Sequence, residues 1–226
     1  MWVGVQVPGM STELPLAHAF EPPGGNVSEP PAVVVLHGRG ADERDLLPIA
    51  TDLHEELAVL SLRAPTPLGP GYTWYELDLS GGGMAASQPD ESDYVESLDL
   101  IEASIEAAID RFGLDRGRIS MLGFSQGAIM SFGALVEFEV ELVWAAALHG
   151  YLPIRYEPGD LERAAGTPVF VAAGDQDQVI PATRAEEAAG RLTEAGLDVT
   201  FRTYPIGHGT DPNELEDLRS WVRERC

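Results

Sequence analysis

The sequence contains no lysine. All 14 of its basic residues are arginine, and 37 acidic residues oppose them, for a formal net charge of -23. A surface this negative repels phosphate backbones and anionic headgroups, which disfavours nucleic acid and membrane surfaces as partners. Cysteine is almost absent as well. The one residue, Cys226, cannot pair within the chain, so disulfide scaffolds and cysteine-based zinc clusters are excluded and no oxidising compartment is required. No apolar run approaches the roughly 20 residues of a membrane helix. Met1 to Gly4 show no basic region followed by an apolar stretch, so we expect no secretion signal, no membrane insertion and a cytoplasmic protein. Glycine and proline, 24 and 17 of 226 residues, are too few for a low-complexity chain, whereas 44% hydrophobic residues fit a globular one.

Net charge also bears on working conditions. Like charges destabilise a compact state most at low ionic strength, because the Debye length is about 30 Å at 0.01 M salt and about 3 Å at 1 M. We therefore expect a halophilic protein suited to a high-salt cytoplasm. A GC-rich genome that favours arginine codons is the alternative origin of the same composition.

Along the chain, apolar runs rich in β-branched residues alternate with helix-period stretches, as in a mostly parallel sheet with helices on both faces. Strands are expected at residues 3–7, 15–20, 32–37, 58–62, 118–123, 143–149, 169–174 and 199–204. The first two precede any helix and should form an antiparallel edge hairpin. Helices are expected at 42–57, 92–112, 126–138, 181–195 and 211–225; the second carries Val95, Leu98, Ile101, Ile105 and Ile109 at three- and four-residue spacing. No internal repeat or linker is visible, so one domain is expected over 1–226. Residues 63–90, rich in Gly and Pro and holding Tyr72, Trp74 and Tyr75, are too long for a plain connection, and loops of that length are often functional.

The strongest chemical signal is Gly123-Phe124-Ser125-Gln126-Gly127, between an apolar strand and the helical run opening Ala128-Ile129-Met130. A G-x-S-x-G at a strand-to-helix turn is a nucleophile elbow: the glycines permit a tight turn that exposes the serine hydroxyl, and the helix aims its N-terminal dipole at it. Serine needs a base and an orienting acid, which follow it in that fold in the order Ser, acid, His. Five histidines compete. His208, in a glycine-flanked turn between the last strand and last helix, falls on the same sheet edge as the elbow, whereas His18 lies in the edge hairpin and His54 inside the helix at 42–57. For the acid, Asp175 and Asp177 both leave a strand end. Asp177 is assigned to His208, and Asp175 to organising the loop.

Acyl transfer also needs donors for the developing oxyanion. The N–H of Gln126, after the nucleophile, is one. The N–H of Arg39 in Leu36-His37-Gly38-Arg39-Gly40, a glycine-rich loop after an early strand, is the expected second. His37 is read as a ring packed under that loop, fixing it by hydrogen bonds.

With these residues stands a longer ordered set. Leu36-His37-Gly38-x-Gly40, Arg63-Ala64-Pro65 with Trp74-Tyr75, the elbow, Gly174-Asp175-x-Asp177-x-Val179-x-Pro181 and Gly207-His208 together resemble the phospholipase/carboxylesterase family, the small α/β hydrolases that include acyl-protein thioesterases. The resemblance implies an α/β-hydrolase fold without a large cap, a triad of Ser125, Asp177 and His208, an oxyanion hole of Arg39 and Gln126, and the Trp74-Tyr75 segment lining the acyl pocket. One departure stands out. Where relatives of this kind commonly have a small residue before Gly-x-Leu-Pro, this chain has His149-Gly150-Tyr151-Leu152-Pro153. His149 could stand near Ser125 and change the pocket's polarity, or be a strand-end histidine with all its hydrogen bonds satisfied.

The expected activity is hydrolysis of carboxylic esters through an acyl-enzyme, with no metal or other cofactor. Residues 151–167 are too few for a large lid, so short to medium acyl chains are expected. Thioester, lysophospholipid or peptide cleavage would use the same residues. A non-catalytic binder on this scaffold, and a metal hydrolase using His37, Asp42, Asp45 and His54, are the other readings. Trp2 or Trp144, if exposed, could support a homodimer.

Overall fold

A computed structural model describes residues 13–25 and 27–226. In chain order the elements are β1 (His18–Glu21), β2 (Ala32–Leu36), α1 (Leu47–Thr51), β3 (Ala58–Leu62), β4 (Thr66–Leu68), β5 (Gly71–Thr73), β6 (Leu77–Asp78), β7 (Gln88–Pro89), α2 (Glu91–Phe112), β8 (Ile119–Phe124), α3 (Gln126–Glu137), β9 (Leu142–Leu148), α4 (Pro158–Leu161), β10 (Pro168–Gly174), α5 (Ala182–Glu194), β11 (Asp198–Tyr204) and α6 (Pro212–Arg223). Seven strands form one sheet in the order β1-β3-β2-β8-β9-β10-β11, parallel except for β1 at its edge. The antiparallel edge is thus made by β1 against β3. The expected strand at residues 3–7 lies outside the described residues.

Strand periodicity divides the core in two. In β2, Ala32 to Leu36 are all buried: Val34 and Leu36 belong to a core that includes Tyr94, Leu98 and Ile101 of α2 and Phe132 of α3, while Val33 and Val35 belong to a second core with Leu46, Trp144 and Leu218. Alternate side chains of one strand therefore feed two cores, which is why the inner strands read as continuous apolar runs. Trp144 is part of the second core, with its ring edge-on to Trp221, so it offers no exposed surface for a dimer. Helix α2 is delimited by local chemistry. The Asp90 carboxylate accepts from the N–H groups of Ser92 and Asp93, and Gly113, at φ 66°, ends the helix in the left-handed conformation.

The helix expected at 42–57 is the main departure. Only Leu47–Thr51 is helical, and Asp42 closes a turn by accepting from Arg44 N–H. Pro48 has no N–H and fixes the start of α1, so no helix runs through it from residue 42. His54 consequently lies outside α1. Within residues 63–90, β4 pairs with β5 and β6 with β7, forming two small ladders beside the main sheet. No insertion among the described residues forms a cap, and no helix among them is long and apolar enough to cross a membrane.

Candidate active site

Ser125 joins β8 to α3 at φ 55° and ψ -115°, a region that non-glycine residues seldom occupy. Its neighbours make that turn possible. A Cβ on Gly127 would collide with the carbonyl of Leu36, and one on Gly123 with the backbone of Gly127, so β2, β8 and α3 close on each other only with hydrogen at both positions. Ser125 N–H donates to Leu148 O at 2.9 Å, anchoring the turn to β9.

The loops after β10 and β11 bring two more residues to this point. His208 Nε2 is 2.9 Å from Ser125 Oγ, and His208 Nδ1 is 2.6 Å from Asp177 Oδ2. The other oxygen of Asp177 accepts from Val179 and Ile180 N–H at 2.8 and 2.9 Å. Burial pushes the Asp177 carboxyl upward, but the hydrogen bond from His208 and those two N–H groups outweigh it and hold the group below its ordinary value. Asp177 therefore organises its own loop. Asp175, expected in that role, is exposed, and its backbone N–H bonds to Tyr204 O.

Ahead of the serine lies a cavity of about 240 Å³. Arg39, Tyr75, Met84, Ser125, Gln126 and His208 are among the residues that line it. Burial pushes the Tyr75 and Tyr151 hydroxyls upward, so both lining phenols stay neutral. Arg184 lies over the Tyr151 ring and donates to Ser87 O at 2.9 Å, tying the 84–87 rim to α5. Of the pocket residues expected from sequence, Tyr75 reaches this cavity; Trp74 and His149 do not. Trp74 is buried behind it, its Nε1–H donating to His37 O at 2.9 Å and its backbone N–H to Gln126 Oε1 at 3.2 Å. Indole and glutamine amide thus join the 63–90 loop to the elbow and the loop after β2. This role of the Gln126 side chain, which also accepts from Thr73 and donates to Tyr75 O, is invisible in a motif that reads only its backbone.

Among the described residues, neither Arg39 N–H nor Gln126 N–H has a hydrogen-bond acceptor in the protein. The Arg39 side chain leans on Glu76 at 3.6 Å, at the rim. Beneath this loop, His37 is fully buried; Nδ1 is 2.7 Å from Gly38 O, and Nε2 accepts from Ala64 N–H at 3.1 Å. One proton on Nδ1 satisfies both contacts, and burial drives the ring below its ordinary pKa, keeping it neutral.

His149 follows β9 at φ 55°, buried behind His208. Its Nε2 is 3.3 Å from Glu214 on α6, and its Nδ1 faces Asp177 Oδ2 at 3.5 Å. Sequence reasoning missed Glu214, although the signal was there: with Leu218, Trp221 and Val222 it forms the buried stripe of α6, where a charge is out of place. His149, Asp177 and His208 form the one cluster of potential metal ligands among the described residues. Tetrahedral ligands at about 2.1 Å from a metal stand about 3.4 Å apart. The 2.6 Å between Asp177 and His208 fits a shared proton better. His37, Asp42, Asp45 and His54 form no such cluster.

The family pattern described as phospholipase/carboxylesterase matches residues 24–225. Acyl-protein thioesterase 1 of Aspergillus fumigatus is 29% identical over 214 residues, covering 85% of this chain and 86% of that protein. Among solved structures, the Bacillus cereus carboxylesterase superposes with a TM-score of 0.80 at 26% identity, covering 93% of this chain and 95% of the other. Esterase PE8 superposes at 0.81 with 26% identity, over 93% and 99%. This chain belongs to the phospholipase/carboxylesterase family of α/β-hydrolase enzymes.

Proposed function

We propose that the protein is a serine esterase that cleaves carboxylic esters of short to medium acyl chains, with Ser125 as nucleophile, His208 as general base and Asp177 as the acid that orients it. The contact that carries this reading is Ser125 Oγ to His208 Nε2 at 2.9 Å, continued to Asp177 at 2.6 Å. His208 Nε2 takes the hydroxyl proton as Oγ attacks the ester carbonyl, and the N–H groups of Arg39 and Gln126 receive the oxyanion. Collapse of the tetrahedral species breaks the ester bond, and His208 returns the proton to the departing alcohol. Water then repeats the sequence on the acyl-enzyme, releasing the acid and restoring Ser125. No metal or organic cofactor enters these steps.

A cavity of about 240 Å³ lies below the roughly 300 Å³ at which drug-sized ligands are accommodated, which supports the chain-length preference. Thioester cleavage is the second reading, favoured by the name of the Aspergillus fumigatus relative; the acylation chemistry is the same and the leaving group is a thiol. A fluorophosphonate probe should label the wild-type chain once and leave Ser125→Ala unlabelled. Equal labelling of both would end the assignment of the nucleophile. A panel of p-nitrophenyl esters from acetate to palmitate, run beside matched thioesters, should show kcat/KM falling steeply beyond medium chains; a maximum at palmitate would overturn the size argument.

A further inference from the structure

The environment of His149 poses a proton-counting problem. Its ring lies between two carboxylates: Glu214, wholly buried, whose two oxygens each lie 3.3 Å from Nε2, and Asp177, whose Oδ2 is 3.5 Å from Nδ1. Among the described residues no arginine pairs with Glu214, and His149 Nδ1 and Glu214 Oε1 are both buried without a hydrogen-bond partner. A neutral imidazole between two ionised carboxylates would turn a lone pair toward one of them. Both repulsions vanish only if the His149–Glu214 pair holds two protons, one of them on Nδ1. The nearby ionisable groups are Glu214 from α6, Asp177 from the loop after β10 and His208 from the loop after β11, its ring nearly perpendicular at 5.8 Å; Tyr204, bonded to Asp217, stands beyond Glu214. The Phe124 ring packs on both imidazoles and shields the group.

We infer that His149 and Glu214 form a positioning pair behind the serine–histidine–aspartate set: Glu214 holds the His149 ring by Nε2, and Nδ1–H is aimed at the same Asp177 oxygen that His208 uses. This rests on the reading that Ser125, His208 and Asp177 carry the reaction. At 3.5 Å the two atoms are in charge contact rather than hydrogen-bonded, and contacts of this kind are often long in the unliganded enzyme. The pair has two effects. It fixes the carboxylate against lateral movement, and it divides the charge of Asp177 between two imidazoles, so that the site reaches its working protonation state at lower pH than it would otherwise.

The test uses His149→Asn, because asparagine tolerates the positive φ of this position, together with Glu214→Gln and the double variant. On p-nitrophenyl butyrate, kcat should fall about tenfold in each single variant with KM within about twofold, and the double variant should be no worse than either single one. In His149→Asn the acid limb of the kcat/KM profile should move to higher pH by about half a unit, because Asp177 then directs its whole charge at His208. A loss confined to thermal stability, or additive losses in the double variant, would overturn the pair. So would an unchanged acid limb with wild-type kcat. Ser125→Ala separates the two readings: if it abolishes turnover while His149→Asn is wild type, the pair alone is overturned; if it keeps wild-type turnover, both are.

Discussion

His37 and His149 stand at corresponding places on either side of the elbow strand. Each follows a strand that neighbours β8, and each ring is buried. Their partners differ completely. His37 meets a backbone carbonyl and a backbone N–H, and a single proton satisfies both. His149 meets two carboxylates and leaves one of its nitrogens unmatched. Residue type and burial are the same at the two corners, so neither decides what a histidine does. The charge of its partners does: the His37 corner is a fixed support for the loop that carries Arg39 N–H, and the His149 corner sets a ring nitrogen 3.5 Å from the candidate catalytic aspartate.

The largest expected effect tests whether the serine between these corners is the common beneficiary. Ser125→Ala should lower kcat by at least about 10⁴-fold, as losses of a triad nucleophile do, with an unchanged melting temperature; residual activity within about tenfold of wild type would leave both corners without a catalytic purpose. Next comes a third support on the His37 side. Arg63 grips the buried Glu43 with bonds of 2.6 and 2.7 Å and lies over the Tyr72 ring. That grip is the main cause holding the Glu43 carboxyl below its ordinary value. Arg63→Ala should therefore cost about 2 kcal/mol by leaving a buried carboxylate unpaired, reduced from a full burial value because the arginine is partly exposed; urea unfolding measures it.

A similar loss should follow from removing His37 itself. His37→Phe leaves the buried Ala64 N–H without an acceptor, at a cost of about 1 to 3 kcal/mol. Here pH sharpens the contrast. Because burial lowers the folded-state pKa of His37, its contribution is complete above about pH 6.5 and is lost as pH falls, when the unfolded chain takes up a proton that the folded chain resists. The stability gap between wild type and His37→Phe should narrow below about pH 6.5, by at most about 1.4 kcal/mol per pH unit. A gap that stays constant from pH 8 to pH 5 would show that His37 is not held neutral. The smallest effect belongs to the charged surface around both corners. With a net charge of -23, the melting temperature should rise between 0.01 M and 1 M KCl, and a flat response would remove the high-salt expectation.

Legibility in the sequence was uneven for identifiable reasons. Inner strands such as β2 were readable because burial on both faces leaves an uninterrupted apolar run, and α2 because its apolar stripe and caps are local. The helix expected at 42–57 shrinks to Leu47–Thr51 because Pro48, without an N–H, sets the start of α1. Ser125, Asp177 and His208 could be named together because each follows a strand and lies in a glycine-marked turn. Trp74 could be found but not placed. The family resemblance implied a pocket wall, and its hydrogen bonds to His37 and Gln126 make it a joint between loops instead. Glu214 stands out locally as an acid on the apolar stripe of α6, but no local pattern names His149, 65 residues away, as its partner.

By itself the sequence determined what depends on short stretches of chain: the alternation of strand and helix, the strained serine turn that only glycine neighbours permit, the order of the chemical groups and the excess of negative charge. Tertiary structure alone decided which side chains share a proton. Hydrogen bonds between Gln126 and the 73–75 segment, or between His149 and Glu214, require distances near 3 Å between residues far apart in the chain. Such distances are set by how strands register and helices pack, and no local pattern encodes them.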